Sequence, residues 1–257
     1  MKVGYYFVDS LYGTFNQGVK GYTDFTFCEA QTRGVWWYHN SEVEFVEALR
    51  RADRQGLSIH LNFQDSEPAR VVALAAPFWN SVELVDVRDE PDYKRRQMDA
   101  AVDDLNEAIV AAGLRSKPIG AVFTNAMVMH GNGWSAPGMD WIGVECYVAS
   151  SYQNDPKAIK AEVDKILGEQ FEQLPNKPIV VVGQAFARRT PEQPKGAWTN
   201  KATLADLQDW TYQVAKRDSR VTHLRWFNYG REDGTRYIQP VKQRHKAIAA
   251  SEGAATG

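Results

Sequence analysis

Apolar and polar residues alternate along several short segments of this chain. Over Leu57–Gln64 every second residue is apolar, which is the pattern of a strand that buries one face. Pro178–Phe186 instead contains the continuous apolar run Ile179–Val182, typical of a strand buried on both faces. Related patterns predict six further strands, at Val3–Asp9, Thr23–Ala30, Val82–Val87, Pro118–Thr124, Trp141–Val148 and Val221–Tyr229.

Between most of these segments the apolar residues recur at helical spacing. One such stretch begins near residue 42 and stops at Gly56. The pattern predicts helices at Glu42–Gln55, Glu67–Trp79, Tyr93–Ala112, Asp155–Gln173, Thr203–Lys216 and Pro240–Ala250. Residues 11–22 and 126–138 show no clear helical period, and we expect loops there.

The alternation of strands and helices implies a parallel sheet, because parallel strands need crossover connections. Eight such strands close into a barrel, and 257 residues is the usual length of one. An open doubly wound sheet is the rival fold, but the first strand runs into Ser10–Gly13, which is not a glycine-rich phosphate-binding turn. We therefore predict an α/β protein with a single (β/α)8 TIM barrel over residues 1–250 and a flexible tail over residues 251–257.

Composition and charge exclude several classes of protein. With 44% hydrophobic residues the chain can build a large core, so it is not intrinsically disordered. A net charge of −2 gives no broad basic surface for nucleic acid, and no apolar run approaches the ~18 residues of a membrane span. We expect a monomer that binds neither nucleic acid nor membrane. The first nine residues lack a secretory signal, so we expect a protein that stays inside the cell or one whose signal has been removed.

The sequence offers no recognisable metal or cofactor motif. Its five histidines show no metal-ligand spacing, and its two cysteines are too few for a multi-cysteine cluster. Neither a glycine-rich phosphate loop nor a Gly-x-Ser-x-Gly motif occurs. We expect no cofactor and no metal site, with carboxylate-bound Mg²⁺ or Ca²⁺ left as the open alternative.

Polar and aromatic residues gather where the predicted strands end, which is where active sites lie in such barrels. Strand ends face water and are often polar for that reason alone. That explanation does not readily account for three carboxylic acids together with two aromatic residues. In the third strand we expect His60 and its polar neighbours to face the barrel axis, which suits a ligand with many hydroxyl groups. The candidate site residues at strand ends are Asp9, Asn62, Gln64, Asp89, Glu90, Asn125, Glu145, Tyr147, Gln184, Trp226 and Asn228.

Aromatic residues make up 12% of the chain, and eight of them are tryptophan. Tryptophan pairs a flat apolar face with a polar edge, so it fills cores, its commoner role, and also stacks on sugar rings. Trp36 and Trp37 lie in a segment without helical period. If they line the mouth of the barrel, we expect them to stack on a carbohydrate.

The sharpest local signal is Val85–Pro91, which ends in Asp-Glu-Pro at the close of the fourth strand. This segment resembles the Asn-Glu-Pro end of the fourth strand in clan A glycoside hydrolases, with Asp89 in place of the Asn. The resemblance implies a barrel that hydrolyses a poly- or oligosaccharide, with Glu90 as the general acid/base. Glu-Pro is also an ordinary helix start, because proline and acidic residues favour the first turn.

The chain departs from that family at the end of the seventh strand. Clan A enzymes place their nucleophilic Glu there, whereas this chain has Gln184, and an amide cannot serve as a carboxylate nucleophile. Glu145, or else Asp9, then supplies a second carboxylate. Alternatively, Asp89 assists Glu90 as in the acid pair of substrate-assisted N-acetylhexosaminidases. Two further alternatives are a barrel that binds carbohydrate without turnover and a Gln184 introduced in place of Glu.

Overall fold

The computed structural model describes residues 1–6, 25–29, 42–64, 66–186, 198–227 and 238–253 of the chain. All neighbouring strands are parallel, and hydrogen bonds join them in chain order, with the last strand paired to the first so that the sheet closes. The strands are β1 (Lys2–Tyr6), β2 (Phe25–Glu29), β3 (Ser58–Asn62), β4 (Val82–Asp89), β5 (Ile119–Phe123), β6 (Trp141–Cys146), β7 (Ile179–Gln184) and β8 (Val221–Phe227).

Seven α-helices lie between or after the strands in the described part of the chain. Their bounds are α1 (Glu42–Arg54), α2 (Pro68–Ala75), α3 (Arg95–Ala111), α4 (Asn125–His130), α5 (Pro156–Gln173), α6 (Lys201–Ala215) and α7 (Gln239–Ser251). Local chemistry sets several of their starts. Asp155 accepts hydrogen bonds from the backbone N–H groups of Lys157 and Ala158, which caps α5. No helix in these ranges is both long and apolar enough to cross a membrane.

The short helix α4 corrects the expectation of a loop over residues 126–138. The Thr124 side chain accepts a hydrogen bond from the Met127 backbone N–H and begins the helix. The helix ends after six residues, where the Gly131 backbone N–H bonds to the Met127 carbonyl. A segment of this length is too short to display a helical period, so the sequence pattern missed it.

The prediction of an α/β protein with parallel strands is confirmed. The complete set of eight helices remains a prediction, because residues 7–24, between β1 and β2, lie outside the described ranges. The domain limits at residues 250 and 251 likewise remain predictions. Helix α7 itself continues to Ser251, and residues 254–257 lie outside the described part.

Two separate apolar clusters follow from strand alternation. One face of the strands, including Ile59 and Leu61 of β3, packs in the large core that includes buried residues of the helices. The opposite face encloses a smaller cluster inside the barrel, made of Leu84, Val122, Trp141, Val180 and Val182. Gly120 makes room for the Trp141 indole there, because a Cβ at position 120 would lie 2.4 Å from its ring.

A fully buried ion pair crosses the barrel interior. The Arg225 guanidinium of β8 donates to both carboxylate oxygens of Asp86 on β4, at 2.5 and 2.9 Å. Its Nε also donates to Nδ1 of His60 at 3.0 Å, and its Cζ lies 5.2 Å from the Trp141 ring centroid. His60 therefore faces the barrel axis, as predicted from the alternation of β3, while the ion pair itself was not anticipated.

Candidate active site

Two glutamates meet at the carboxyl end of the strands. Glu145 lies on β6, on the same face as Trp141, so its side chain points into the barrel. Glu90 directly follows β4, and its backbone N–H donates to the Val122 carbonyl of β5 at 3.0 Å. The Glu90 and Glu145 side chains lie close enough for Glu90 to raise the pKa of Glu145. The structure thus brings together two of the three predicted catalytic carboxyl groups.

Glu145 is an unusually weak acid, chiefly because it is buried. Burial, at 6% residual exposure, raises the pKa of Glu145 well above its usual value, and the charges of Glu90 and Asp89 raise it further. A hydrogen bond with Tyr147 opposes this rise in pKa. Burial and the neighbouring carboxylates therefore both favour the protonated form of Glu145.

The turn that presents Glu90 has strained backbone geometry. Gln64 and Glu90 have φ angles of 47° and 49°, and no other non-glycine residue in the described part of the chain has positive φ. Such left-handed conformations cost free energy and persist where the surroundings impose them, often at functional sites. Gln64 Oε1 accepts a hydrogen bond from the Asp89 backbone N–H at 3.0 Å, so the two strained positions are linked.

Three aromatic rings lie beside the acids. Tyr147 directly follows β6, Phe186 lies two residues beyond β7, and Phe227 is the last residue of β8. Their ring centroids are 5.5–6.4 Å apart. Tyr147 was predicted, whereas Phe186 and Phe227 were missed. Extending the inward-facing alternation of β7 and β8 by one more step would have identified both.

The amide of Gln184 is engaged within the protein. Its Oε1 accepts from the Val148 backbone N–H at 3.0 Å, and its Nε2 donates to the Phe186 carbonyl at 3.4 Å. Gln184 is buried, and these bonds tie the end of β6 to the end of β7. An amide suits this position because one donor and one acceptor are both used. The structure therefore gives Gln184 a local structural role in place of the predicted contact with substrate.

Trp226 does not lie at the mouth of the barrel, which corrects its sequence-based assignment. Its indole is 1% exposed and stacks on the His245 ring of α7, with centroids 4.3 Å apart. The cause is alternation along β8, which turns Arg225 and Phe227 inward and Trp226 toward the helices.

Asn125 begins α4 at the end of β5, and its buried Oδ1 has no hydrogen-bond partner among the described residues.

Four predicted site residues lie outside the described ranges, namely Asp9, Trp36, Trp37 and Asn228.

Asn62 is fully buried at the end of β3, and its Oδ1 accepts from the Gln64 backbone N–H at 2.7 Å. Asn62 and Gln64 therefore help to hold the Asp89–Glu90 turn in place, because Gln64 also accepts from the Asp89 backbone N–H.

A second titratable cluster lies toward the amino end of the strands. His223 Nε2 is 3.4 Å from Glu83 Oε1, and His60 Nε2 is 4.0 Å from Glu83 Oε2. Lys2 donates a hydrogen bond to the same Glu83 carboxylate. Burial opposes ionisation of Glu83, but the hydrogen bonds from His223 and Lys2 outweigh it and lower the pKa of Glu83 to about 2.

One ligand atom from each of His60, Glu83 and His223 lies within 4.8 Å of the others, a spacing that could hold a metal ion. The hydrogen bonds favour another role. Because Arg225 donates to His60 Nδ1, the neutral imidazole carries its proton on Nε2, the nitrogen nearest Glu83. Lys2 already provides a cation at Glu83. We therefore interpret the cluster as a structural one, in which the Lys2–Glu83 ion pair and the two histidines fill the amino end of the barrel interior. Sequence spacing missed it because its residues come from four separate strands.

Glu83→Gln is expected to reduce the free energy of unfolding at neutral pH and to make that free energy change less as the pH is lowered. The folded-state pKa of Glu83 is about 2, below the ordinary value, so its stabilisation is full above pH ~5 and lost as the pH falls toward 2. We expect a loss of about 1–2 kcal/mol at pH 7, discounted for partial exposure. Urea unfolding between pH 7 and pH 3 measures it. Equal acid sensitivity in both proteins would contradict this assignment, after allowing for Glu252, whose pKa is also lowered to about 2.

No protein-family model matches this chain, and no curated protein matches it. Solved structures do resemble it. A β-D-glucuronidase of Dictyoglomus thermophilum superposes with a TM-score of 0.66 at 16% identity, over 97% of this chain and 50% of that one. A GH2 β-galacturonidase of Eisenbergiella tayi, bound to galacturonate, superposes with a TM-score of 0.65 at 12% identity, over 98% of this chain and 51% of that one.

A GH128 endo-β-1,3-glucanase of Amycolatopsis mediterranei, in complex with laminarihexaose, gives a TM-score of 0.61 at 13% identity, over 96% of this chain and 98% of that one. The present chain spans about half the length of the glucuronidases that it matches. At these identities the likeness shows the fold, which this chain shares with glycoside hydrolases.

Proposed function

We propose that this chain is a glycoside hydrolase acting on a poly- or oligosaccharide. The observation that carries the proposal is that Glu90 and the buried Glu145 lie close together at the carboxyl end of the barrel strands, where Glu90 helps to raise the pKa of Glu145. Cleavage of a glycosidic bond needs a carboxyl group that can donate a proton, and burial beside other carboxylates favours the protonated form. The fold shared with enzymes whose structures hold galacturonate or laminarihexaose supports a carbohydrate substrate.

Glu90 is the proton donor in this proposal. It is more exposed than Glu145, so it is the member of the pair that a substrate reaches. Glu90 donates a proton to the glycosidic oxygen while the bond from that oxygen to the anomeric carbon breaks, and the leaving group departs as an alcohol. The oxygen of a water molecule then bonds to the anomeric carbon, directly or after the group on the opposite side, and the proton that this water loses restores the acid pair. Glu145 holds the shared proton in the buried half of the pair and returns it to Glu90, and Tyr147 fixes Glu145 through its hydrogen bond.

The spacing of the pair limits its role. Retaining glycosidases hold their two carboxyl groups ~5–5.5 Å apart, and inverting ones about 6.5–9.5 Å. Glu90 lies close enough to Glu145 to raise its pKa, so in this proposal the two act from one side of the substrate as a coupled acid. The group on the opposite side is then Asp89, Asp9 or a substrate acetamide that Asp89 orients.

The remaining expectations form part of the same proposal. The chain is a single (β/α)8 catalytic domain over residues 1–250 and acts as a monomer without metal or cofactor. The Asn125 Oδ1 is proposed to accept a hydrogen bond from a sugar hydroxyl, because this buried atom has no partner among the described residues. Tyr147 and its two neighbouring rings provide an apolar wall for the sugar.

A barrel that binds carbohydrate without turnover is the second candidate. The Gln184 amide favours it, because that residue stands at the end of β7, where the resembling enzymes have their nucleophile. The two candidates differ in one measurement, the release of reducing ends from oligosaccharides by the unmodified protein.

Glu145→Gln tests the shared proton. With the pKa of Glu145 raised, the protonated pair persists to higher pH, so we expect activity to fall on an alkaline limb above the ordinary glutamate range of about 4.3. The substitution removes the neighbouring charge, so this limb should move to lower pH and kcat at pH 7 should fall about 10²-fold. Initial rates from pH 4 to pH 9 measure both effects. Glu172→Gln, an exposed change on α5, is the matched control. An unchanged pH profile in Glu145→Gln would refute the coupled pair.

A further inference from the structure

The end of β3 holds the Asp89–Glu90 turn through one side chain. β3 ends at Asn62, and just after it the Phe63 backbone N–H donates to the Asp86 carbonyl of β4. Beyond this point the Gln64 side chain joins the two chain segments. Its Oε1 accepts from the Asp89 backbone N–H at 3.0 Å.

The position of Gln64 is itself fixed. Its backbone N–H donates to Asn62 Oδ1 at 2.7 Å, and Asn62 Nδ2 lies 3.4 Å from Gln64 Oε1. Asn62 is fully buried, and Gln64 has a φ of 47°. This asparagine therefore holds Gln64 in a left-handed conformation from which its amide reaches the next strand.

Glu90 depends on this arrangement for its own conformation. Its φ of 49° is unfavourable for a side chain of this type, and it needs fixed neighbours on both sides. The Glu90 N–H is anchored to Val122 on β5, and the preceding Asp89 N–H is anchored to Gln64 on the β3 side. The β4–β5 register shifts between Asp86 and Asp89, so the regular ladder alone does not set this turn.

We infer that Gln64 is a positioning residue for Glu90, which it aims at the substrate by holding the Asp89 peptide group. The inference rests on the proposed glycosidase function and revises the sequence-based assignment of Gln64 to substrate binding. The Gln64 oxygen that would accept a sugar hydroxyl already accepts from the protein.

Gln64→Leu and Gln64→Glu separate the two roles. Leu removes the acceptor, so kcat should fall about 10–100-fold with KM changed less than about twofold, since orientation acts on the chemical step. Glu keeps an oxygen for the Asp89 N–H, so kcat should recover to within about fivefold of the unmodified protein. Its added negative charge should move the alkaline limb to higher pH. A simple loss of packing would produce neither the recovery nor this shift.

Asn132→Ala is the matched control, because Asn132 Oδ1 accepts from the Arg95 backbone N–H at 3.1 Å, outside the acid cluster. Circular dichroism and thermal unfolding establish that each variant folds. A raised KM with unchanged kcat in Gln64→Leu would overturn the inference, since it would show direct contact with substrate. A Gln64→Glu variant as slow as Gln64→Leu would also overturn it.

A readout independent of turnover separates this inference from the proposed function. Carbon-13 NMR titration of the glutamate carboxyl groups reports the pKa of Glu145 in each variant. If Gln64 holds Glu90 against Glu145, Gln64→Leu should lower that pKa toward its usual value, because the neighbouring charge moves away. An unchanged Glu145 pKa would overturn the inference. Absence of glycan cleavage by the unmodified protein would instead overturn the proposed function and leave this titration decisive for Gln64.

Discussion

Glu90→Gln is expected to lower kcat about 10³-fold on the oligosaccharide that the unmodified protein cleaves best, within the 10²–10⁴ range for loss of a general acid. Glutamine keeps the size and polarity of the side chain but supplies no proton to the glycosidic oxygen. KM should change little, because the substitution removes an interaction made in the transition state. Reducing-end assays on β-1,3-glucan and uronic-acid oligosaccharides measure the loss.

The leaving group provides the control for this prediction. An aryl glycoside with a dinitrophenolate leaving group needs no protonation, so Glu90→Gln should lose far less activity on it, about tenfold or less if the substitution removes only the acid. Asp92→Asn changes an exposed acid two positions further along and should have no effect. Equal losses on both substrates, or an equal loss in Asp92→Asn, would contradict the role of Glu90 as proton donor.

Arg225→Met is expected to destabilise the fold by about 3–5 kcal/mol, the usual effect of leaving one charge of a buried ion pair uncompensated. Asp86 and Arg225 are both fully buried, and two hydrogen bonds join them. Removing the guanidinium leaves the Asp86 carboxylate inside the barrel and removes the donor to His60. Urea unfolding with circular dichroism measures the change.

Two comparisons sharpen this result. The double variant Asp86→Leu, Arg225→Met should recover much of the lost stability, because it buries no unpaired charge. Arg217→Met removes an exposed partner of Asp164 and should cost about 1 kcal/mol or less. If Arg225→Met were no more destabilising than Arg217→Met, the interior ion pair would have no such role.

The pH dependence of Arg225→Met follows from Asp86. Burial raises the pKa of Asp86, and Arg225 opposes that rise. Without Arg225 the raised folded-state pKa favours the protonated carboxyl group, so the folded variant binds a proton more tightly than the unfolded chain. The contribution of Asp86 to the stability of the variant should be greatest at low pH and be lost as the pH rises through that pKa.

Strand order could be predicted because its signals are local. The alternation over Leu57–Gln64 and the apolar run Ile179–Val182 each report burial on a strand, and their sequence order implies parallel pairing. The helix α4 could not be predicted, since a single capped turn leaves no period in the sequence. Trp226 was placed on the wrong face because the register of β8 depends on its inward Arg225, a residue that a purely apolar barrel interior would not contain.

The proposed acid pair could be predicted only in part. Glu90 was recognisable from the Asp-Glu-Pro segment, and Glu145 from its place on a strand, but their proximity depends on how β4 and β6 flank β5. The role of Gln64 depends on a left-handed backbone angle, which no pattern of residue types reveals for a non-glycine residue. Long-range geometry therefore decides what local sequence leaves open.

The most direct test of the central claim is hydrolysis in water labelled with oxygen-18, followed by mass spectrometry of the products. For cleavage by the Glu90–Glu145 pair, the unmodified protein should incorporate one labelled oxygen at each broken glycosidic bond, and Glu90→Gln should form the same labelled products about 10³-fold more slowly. Tight binding of those oligosaccharides by the unmodified protein, with no labelled product after prolonged incubation, would contradict a hydrolase and leave a carbohydrate-binding barrel.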